Sequence, residues 1–159
     1  MIILGIDPGS RITGYGVIHN LRDKMEYIHS GHIKVKGETF PQKLGYIFQQ
    51  LSSIIETYHP QQMGIENVFM HKNADSALKL GQARGAAICA AYHAGLDVHE
   101  YAAREVKLAI VGSGAAQKEQ VKHMVQRLLS LSDDLQSDES DALAISICHA
   151  QYQAMENRT

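Results

Sequence analysis

Ile2-Ile3-Leu4-Gly5-Ile6-Asp7-Pro8-Gly9-Ser10 is the stretch from which the rest of the chain can be ordered. A continuous apolar run closed by Asp-Pro-Gly-Ser reads as a buried strand ended by a turn. Pro8 biases Asp7 towards an extended conformation, and Gly9 permits the reversal. Working outward, Thr13-Gly14-Tyr15-Gly16-Val17-Ile18 reads as a second strand and Tyr27 to Val35 as a third. Their short separators make the three an antiparallel meander. Leu44, Ile47, Phe48, Leu51, Ile54, Ile55 and Tyr58 recur at helical spacing, and His59-Pro60 ends that helix. Met63-Gly64-Ile65-Glu66 is a brief fourth strand. A helix rich in Ala and Gly follows from about Ala74 to His93, and Val98 to Tyr101 reads as a fifth strand. After a flexible Val111-Gly112-Ser113-Gly114, the residues Val121, Met124, Val125, Leu128 and Leu129 mark a helix. A last helix opens near Ser137 or Asp138. The order βββαβαβαα predicts an α/β fold: a five-stranded mixed sheet with helices on both faces. With no repeat, low-complexity tract or linker, residues 1–159 read as a single domain whose last residues form a flexible tail.

Composition narrows the classes. The chain has 159 residues, 45% apolar and 20% charged, enough to bury a core without disulfides and unlike a disordered chain. No apolar run is long enough to span a bilayer, and the opening residues lack the basic start of a secretory signal. Cys89 and Cys148 share no CxxC spacing and lie in apolar surroundings, as expected of buried thiols in a reducing, cytoplasmic setting. The net charge is −2 but unevenly spread: residues 67–128 carry eight Lys or Arg against five acids, and residues 129–159 one Arg against six acids. Such a balance fits either a basic face beside an acidic pocket or ordinary solvated helices.

Asp7 and Glu66 each close an apolar strand, where a carboxylate is costly unless cations or donors meet it. Asp138 and Asp141 lie three apart at the start of a helix and so share a face. Each has a plain alternative: an Asx turn with Gly9 for Asp7, and acids complementing the helix dipole for Asp138 and Asp141. Together they form the oxygen-rich set that a hard cation such as Mg²⁺ requires. The nine histidines show no HxxxH or HExxH spacing, which weighs against zinc.

Gly5-Ile6-Asp7-Pro8-Gly9-Ser10 with Thr13-Gly14-Tyr15-Gly16, Ile65-Glu66-Asn67-Val68-Phe69, and the block from Lys72 to Gly85 resemble the RuvC family of bacterial Holliday junction resolvases. Tyr101 to Lys107 and Asp138-Glu139-Ser140-Asp141-Ala142-Leu143-Ala144 extend the resemblance to about residue 150. The resemblance implies a ribonuclease H-like fold and a homodimeric endonuclease that nicks two strands of a four-way DNA junction symmetrically, in recombination and repair. It implies Asp7, Glu66, Asp138 and Asp141 as catalytic, metal-holding acids with two Mg²⁺ per active site, Mn²⁺ being an acceptable substitute. It further implies Lys107 and Lys118 as DNA phosphate contacts, Phe69 as a residue that works on junction bases, and a RuvA–RuvB branch-migration complex as partner. From the residues alone, the lysines also read as ordinary surface charges, and Phe69 reads first as core packing. Glu139 and Ser140 depart from the small residues usual there and put an extra acid beside the site. The chain also ends sooner than relatives that run on into a basic tail.

Three other classes compete. An actin-like nucleotide-binding protein would use a similar GIDPGS turn but needs two such domains. A non-catalytic DNA-binding module would not retain all four acids. A general ribonuclease H gives no reason for the Phe69 to Gly85 block.

Overall fold

The computed structural model describes residues 1–68 and 73–159. The elements run β1 (Ile2–Asp7), β2 (Ile12–Asn20), β3 (Met25–Lys34), α1 (Phe40–Tyr58), β4 (Gln62–Glu66), α2 (Ala74–His93), β5 (Asp97–Tyr101), α3 (Ala103–Val111), α4 (Lys118–Leu128) and α5 (Ser137–Glu156). The strands form one sheet in the order β3-β2-β1-β4-β5. β1, β2 and β3 are the expected antiparallel meander, whereas β4 and β5 run parallel to β1. The mixed sheet has helices on both faces, as the element order predicts.

Local chemistry explains the boundaries. α1 opens on a capping box, in which the Thr39 hydroxyl accepts from the Gln42 backbone N–H and the Gln42 side chain accepts in return from the backbone N–H of Thr39. It ends where His59 turns left-handed, φ 53°, just before Pro60. α2 is capped by the Asn73 side chain, which accepts from the N–H groups of Asp75 and Ser76. One helix corrects the expected order. α3 stands where the sequence reads as an unassigned link, and it contributes buried Val106 and Ile110 to the core before Gly112 ends it at φ 82°.

The sheet has two differently built faces. Leu4, Ile6, Val17, Met63 and Ile65 point towards α1 and α2. Ile3 and Ile18 join the core under α3, α4 and α5. Because side chains alternate along a strand, Gly5, Asp7, Gly64 and Glu66 share this second face. Gly5 pairs with Gly16 across to β2 and with Gly64 across to β4, which leaves a furrow with no side chains. α5 lies in it. A Cβ added at Gly5 would stand 2.1 Å from the Ala142 carbonyl oxygen, and one at Gly14 2.2 Å from that of Asp138. Glycine is what lets the helix backbone rest directly on the strands.

The register of α5 is further held by His149, fully buried on the helix. Its Nδ1 accepts from the Tyr101 hydroxyl at 2.6 Å, and its Nε2 donates to Gln62 Oε1 at 2.5 Å. One of the cysteines departs from expectation. Cys148 is buried in the core, but Cys89 is exposed, because it faces outward from α2.

Candidate active site

β1 and β4 are parallel neighbours, with Ile6 opposite Ile65, so the next residues, Asp7 and Glu66, end side by side. α5 crosses above them in the glycine furrow and brings Asp141 down on the same end of the sheet. These acids line a cavity of about 270 Å³ with Lys107 from α3 and Lys118 from α4. Val106, Val121, Ala144 and Ile145 supply its apolar wall. Asp138 does not line the cavity. Its backbone passes over Gly14, and its charge adds to those acting on Asp7.

The electrostatics are those of crowded, half-buried carboxylates. Burial, then the charges of Asp141, Glu66 and Asp138, push the Asp7 carboxyl up to about 8. Asp7 is hydrogen-bonded to Glu66, which is itself raised, first by burial and then by Asp141. Burial also raises Asp141, opposed by Lys118, whose Nζ stands 3.4 Å from Asp141 Oδ2. The same contact raises Lys118. Lys107 acts on both Glu66 and Asp141 through its charge.

This donor set fits a hard divalent cation. Its ligating groups are carboxylates, no sulfur or imidazole among the described residues lines the cavity, and the raised Asp7 carboxyl marks an excess of negative charge. Among the described residues, no three acids, histidines or cysteines stand together closely enough to grip an ion as they are. Part of the negative charge is met instead by Lys118.

Glu139 turns away from the site. Its Oε2 accepts from the Ser30 hydroxyl on β3 at 3.4 Å, so the extra acid faces the sheet rather than the cavity. Phe69 lies outside the described residues. Arg84 is a residue that sequence reasoning quoted without giving it a role. Its Nε donates to the Glu66 carbonyl at 2.9 Å, and its Nη2 to Asn67 Oδ1 at 3.1 Å and to Glu100 Oε1 at 2.7 Å. From α2 it thus ties the end of β4 to β5 and fixes the backbone that presents Glu66. Its position in the Lys72 to Gly85 block is the signal that could have found it.

Comparison with known proteins agrees with this geometry. The family model described as "Crossover junction endodeoxyribonuclease RuvC" matches residues 3–149. A protein of that description from Tolumonas auensis is 59% identical over 152 residues, covering 96% of this chain and 88% of its own. The solved Thermus thermophilus RuvC structure superposes with a TM-score of 0.90 at 33% identity, covering 98% of this chain and 97% of that one. A second T. thermophilus RuvC structure, in complex with a Holliday junction substrate, gives a TM-score of 0.88 at 31% identity, covering 98% and 96%. The five-stranded mixed sheet has the ribonuclease H-like architecture that the motifs imply. With the family model matched over residues 3–149 and a relative 59% identical over nearly the whole length, the chain belongs to the RuvC family.

Proposed function

We propose that this chain is a crossover junction endodeoxyribonuclease that resolves four-way DNA junctions by hydrolysing a phosphodiester bond in each of two strands. The observation that carries this reading is the meeting of Asp7, Glu66 and Asp141 with Lys107 and Lys118 in one cavity, in a chain of this family. Asp7, Glu66, Asp138 and Asp141 would hold the metal, two Mg²⁺ per site, with Mn²⁺ as the alternative ion. Such ions supply Lewis acidity, lowering the pKa of a bound water and stabilising the leaving oxygen.

The protein groups have separable tasks. The four carboxylates would offset the charge of bound cations. Lys118 leaves Asp141 for the phosphate and, with Lys107, helps neutralise charge that builds on it during displacement. Arg84 holds the Glu66 backbone still. Phe69 stacks on a base opened at the crossover.

A four-way junction offers two equivalent strands, and a two-fold dimer puts one site on each. The outward face of α2 suits that contact. Leu78, Gly81, Gly85, Cys89 and Tyr92 recur at helical spacing, Leu78 is 68% and Tyr92 77% exposed, and the space above both glycines is open. The chain works in the cytoplasm, receiving junctions from a RuvA–RuvB branch-migration complex. No helix among the described residues is long and apolar enough to cross a membrane.

The test is incubation with a synthetic four-way junction, a linear duplex and an RNA–DNA hybrid, each with Mg²⁺ and with EDTA. Paired, symmetric nicks in the junction alone, only with Mg²⁺, are expected. Cutting of the hybrid in preference to the junction would overturn the reading.

A further inference from the structure

The end of the sheet that carries Asp7 has a second concave surface, on the opposite face from the acidic cavity. A hollow of about 290 Å³ is lined by Ser10, Arg11, Phe40, Lys43, Ser76 and Lys79. Its cations come from three elements: Arg11 from the β1–β2 turn, Lys43 from the first turn of α1 and Lys79 from α2. Among the described residues, no carboxylate lines it. Lys79 pairs with Asp75 one turn away at 3.1 Å, an exposed contact of the weakly held kind. Among the described residues, neither Arg11 nor Lys43 has an ion-pair partner.

Converging cations with two hydroxyl donors and no acid select an anion, and phosphate above all. The helix ends do not supply the donors, since Thr39 and Asn73 already occupy N–H groups there. Side chains would do the holding. The acidic cavity opens on the α5 side of Asp7, and Ser10 and Arg11 follow Asp7 within four residues on the α1–α2 side. A strand crossing the end of the sheet therefore meets both surfaces in turn. The geometry points to the hollow as a second phosphate subsite, in which Arg11, Lys43 and Lys79 hold the DNA backbone beyond the scissile phosphate. This rests on the nuclease reading above, which selects DNA among phosphate-bearing ligands.

The experiment measures affinity by fluorescence anisotropy in EDTA, for a four-way junction and a linear duplex, over a range of salt concentrations. The variant Arg11→Ala/Lys43→Ala is compared with Arg22→Ala/Lys24→Ala, the same charge change at the opposite end of the sheet. Removing two phosphate contacts should weaken binding of both DNAs by about ten-fold and reduce the slope of log K against log salt by about two. Lys79→Gln, at an exposed position where folding is not at stake, should reduce that slope by about one. Affinities and slopes equal to wild type, or losses no greater than the Arg22/Lys24 control, would overturn the subsite. A wild-type protein with no preference for the junction would instead overturn the resolvase reading, and the slopes would still judge the hollow. A wild type that binds neither DNA would overturn both.

Discussion

Asp7 feels the charge of three other carboxylates, and with burial they push its own carboxyl up. Replacing it by Asn keeps the shape and removes an ionisable carboxyl that burial and neighbouring acids disfavour in the metal-free protein. Asp7→Asn should abolish junction cleavage with Mg²⁺ while leaving junction binding intact or stronger. In EDTA near neutral pH it should also raise stability by about 2 kcal/mol, roughly 4–8 °C in Tm. Cleavage at the wild-type rate, or a lower Tm, would remove Asp7 from the metal site. Phe69 poses a different choice. Stacking on an opened base returns about 1–3 kcal/mol, whereas a core Phe truncated to Ala costs about 3–5 kcal/mol of stability. Phe69→Ala should leave the melting temperature nearly unchanged and slow cleavage sharply, with Phe69→Trp keeping much of the activity. A large drop in Tm with full cutting by the folded fraction would assign Phe69 to the core.

α5 delivers its acids because the sheet lets it approach. Gly5→Ala would drive a methyl group into the Ala142 carbonyl and the Ser146 N–H, 2.1 and 2.7 Å away. Overpacking of this sort costs about 1–3 kcal/mol, and lifting the helix moves Asp138 and Asp141 from Asp7 and Glu66. Chemical denaturation and cleavage should therefore fall together. Gly45→Ala, exposed in α1 with nothing within 4 Å, should be neutral or stabilising by about 0.4–1 kcal/mol. A Gly5→Ala protein with wild-type stability and activity would contradict the furrow. The His149 network gives the same helix a pH dependence. Burial, then the neighbouring His99, lowers His149 to about 4 from its ordinary 6.5. Between those values the unfolded chain binds the proton and the folded one does not. Stability from this group is thus complete above about 6.5 and lost as pH falls towards 4, by about 3 kcal/mol in all. Denaturation of wild type and His149→Gln across this range should show the slope shrinking in the variant. Equal slopes would show that other groups set the acid sensitivity.

At the scale of the molecule, two features of α2 point in opposite directions. Its inner face carries Arg84 and buried Ala83, Ala87, Ala90 and Ala91. Its outer face leaves Leu78 and Tyr92 in water. Leu78→Arg puts a charge where a partner helix would pack and should convert a micromolar dimer to monomer in sedimentation, without lowering the stability of the subunit. Monomeric wild-type protein with full junction-cutting activity would sink the dimer. Paired nicking should weaken in the variant, because one site no longer brings the second with it.

Much of this was legible in the linear order of residues. An apolar run that stops at an acid marks a strand end whatever lies beside it, so Asp7 and Glu66 stood out, as did the shared face of Asp138 and Asp141. The strand order of the meander followed from short separators, and the end of α1 from His59-Pro60. The rest depended on distances that sequence spacing does not contain. α3 is nine residues long, too short for its apolar period to stand out, and its place against α5 is what brings Lys107 to the cavity. Cys89 has apolar neighbours in sequence yet faces water, because α2 buries only one side. Glu139 lies between two site acids but points to Ser30, since a helix turns about 100° with each residue. Arg84 reaches Glu66 only once α2 has folded back on the sheet. The chain's local chemistry determined which residues end strands and cap helices. Packing across the glycine furrow decided which of them meet, because only contact between distant segments sets the burial and mutual charge that bring Asp7, Glu66 and Asp141 to one cavity.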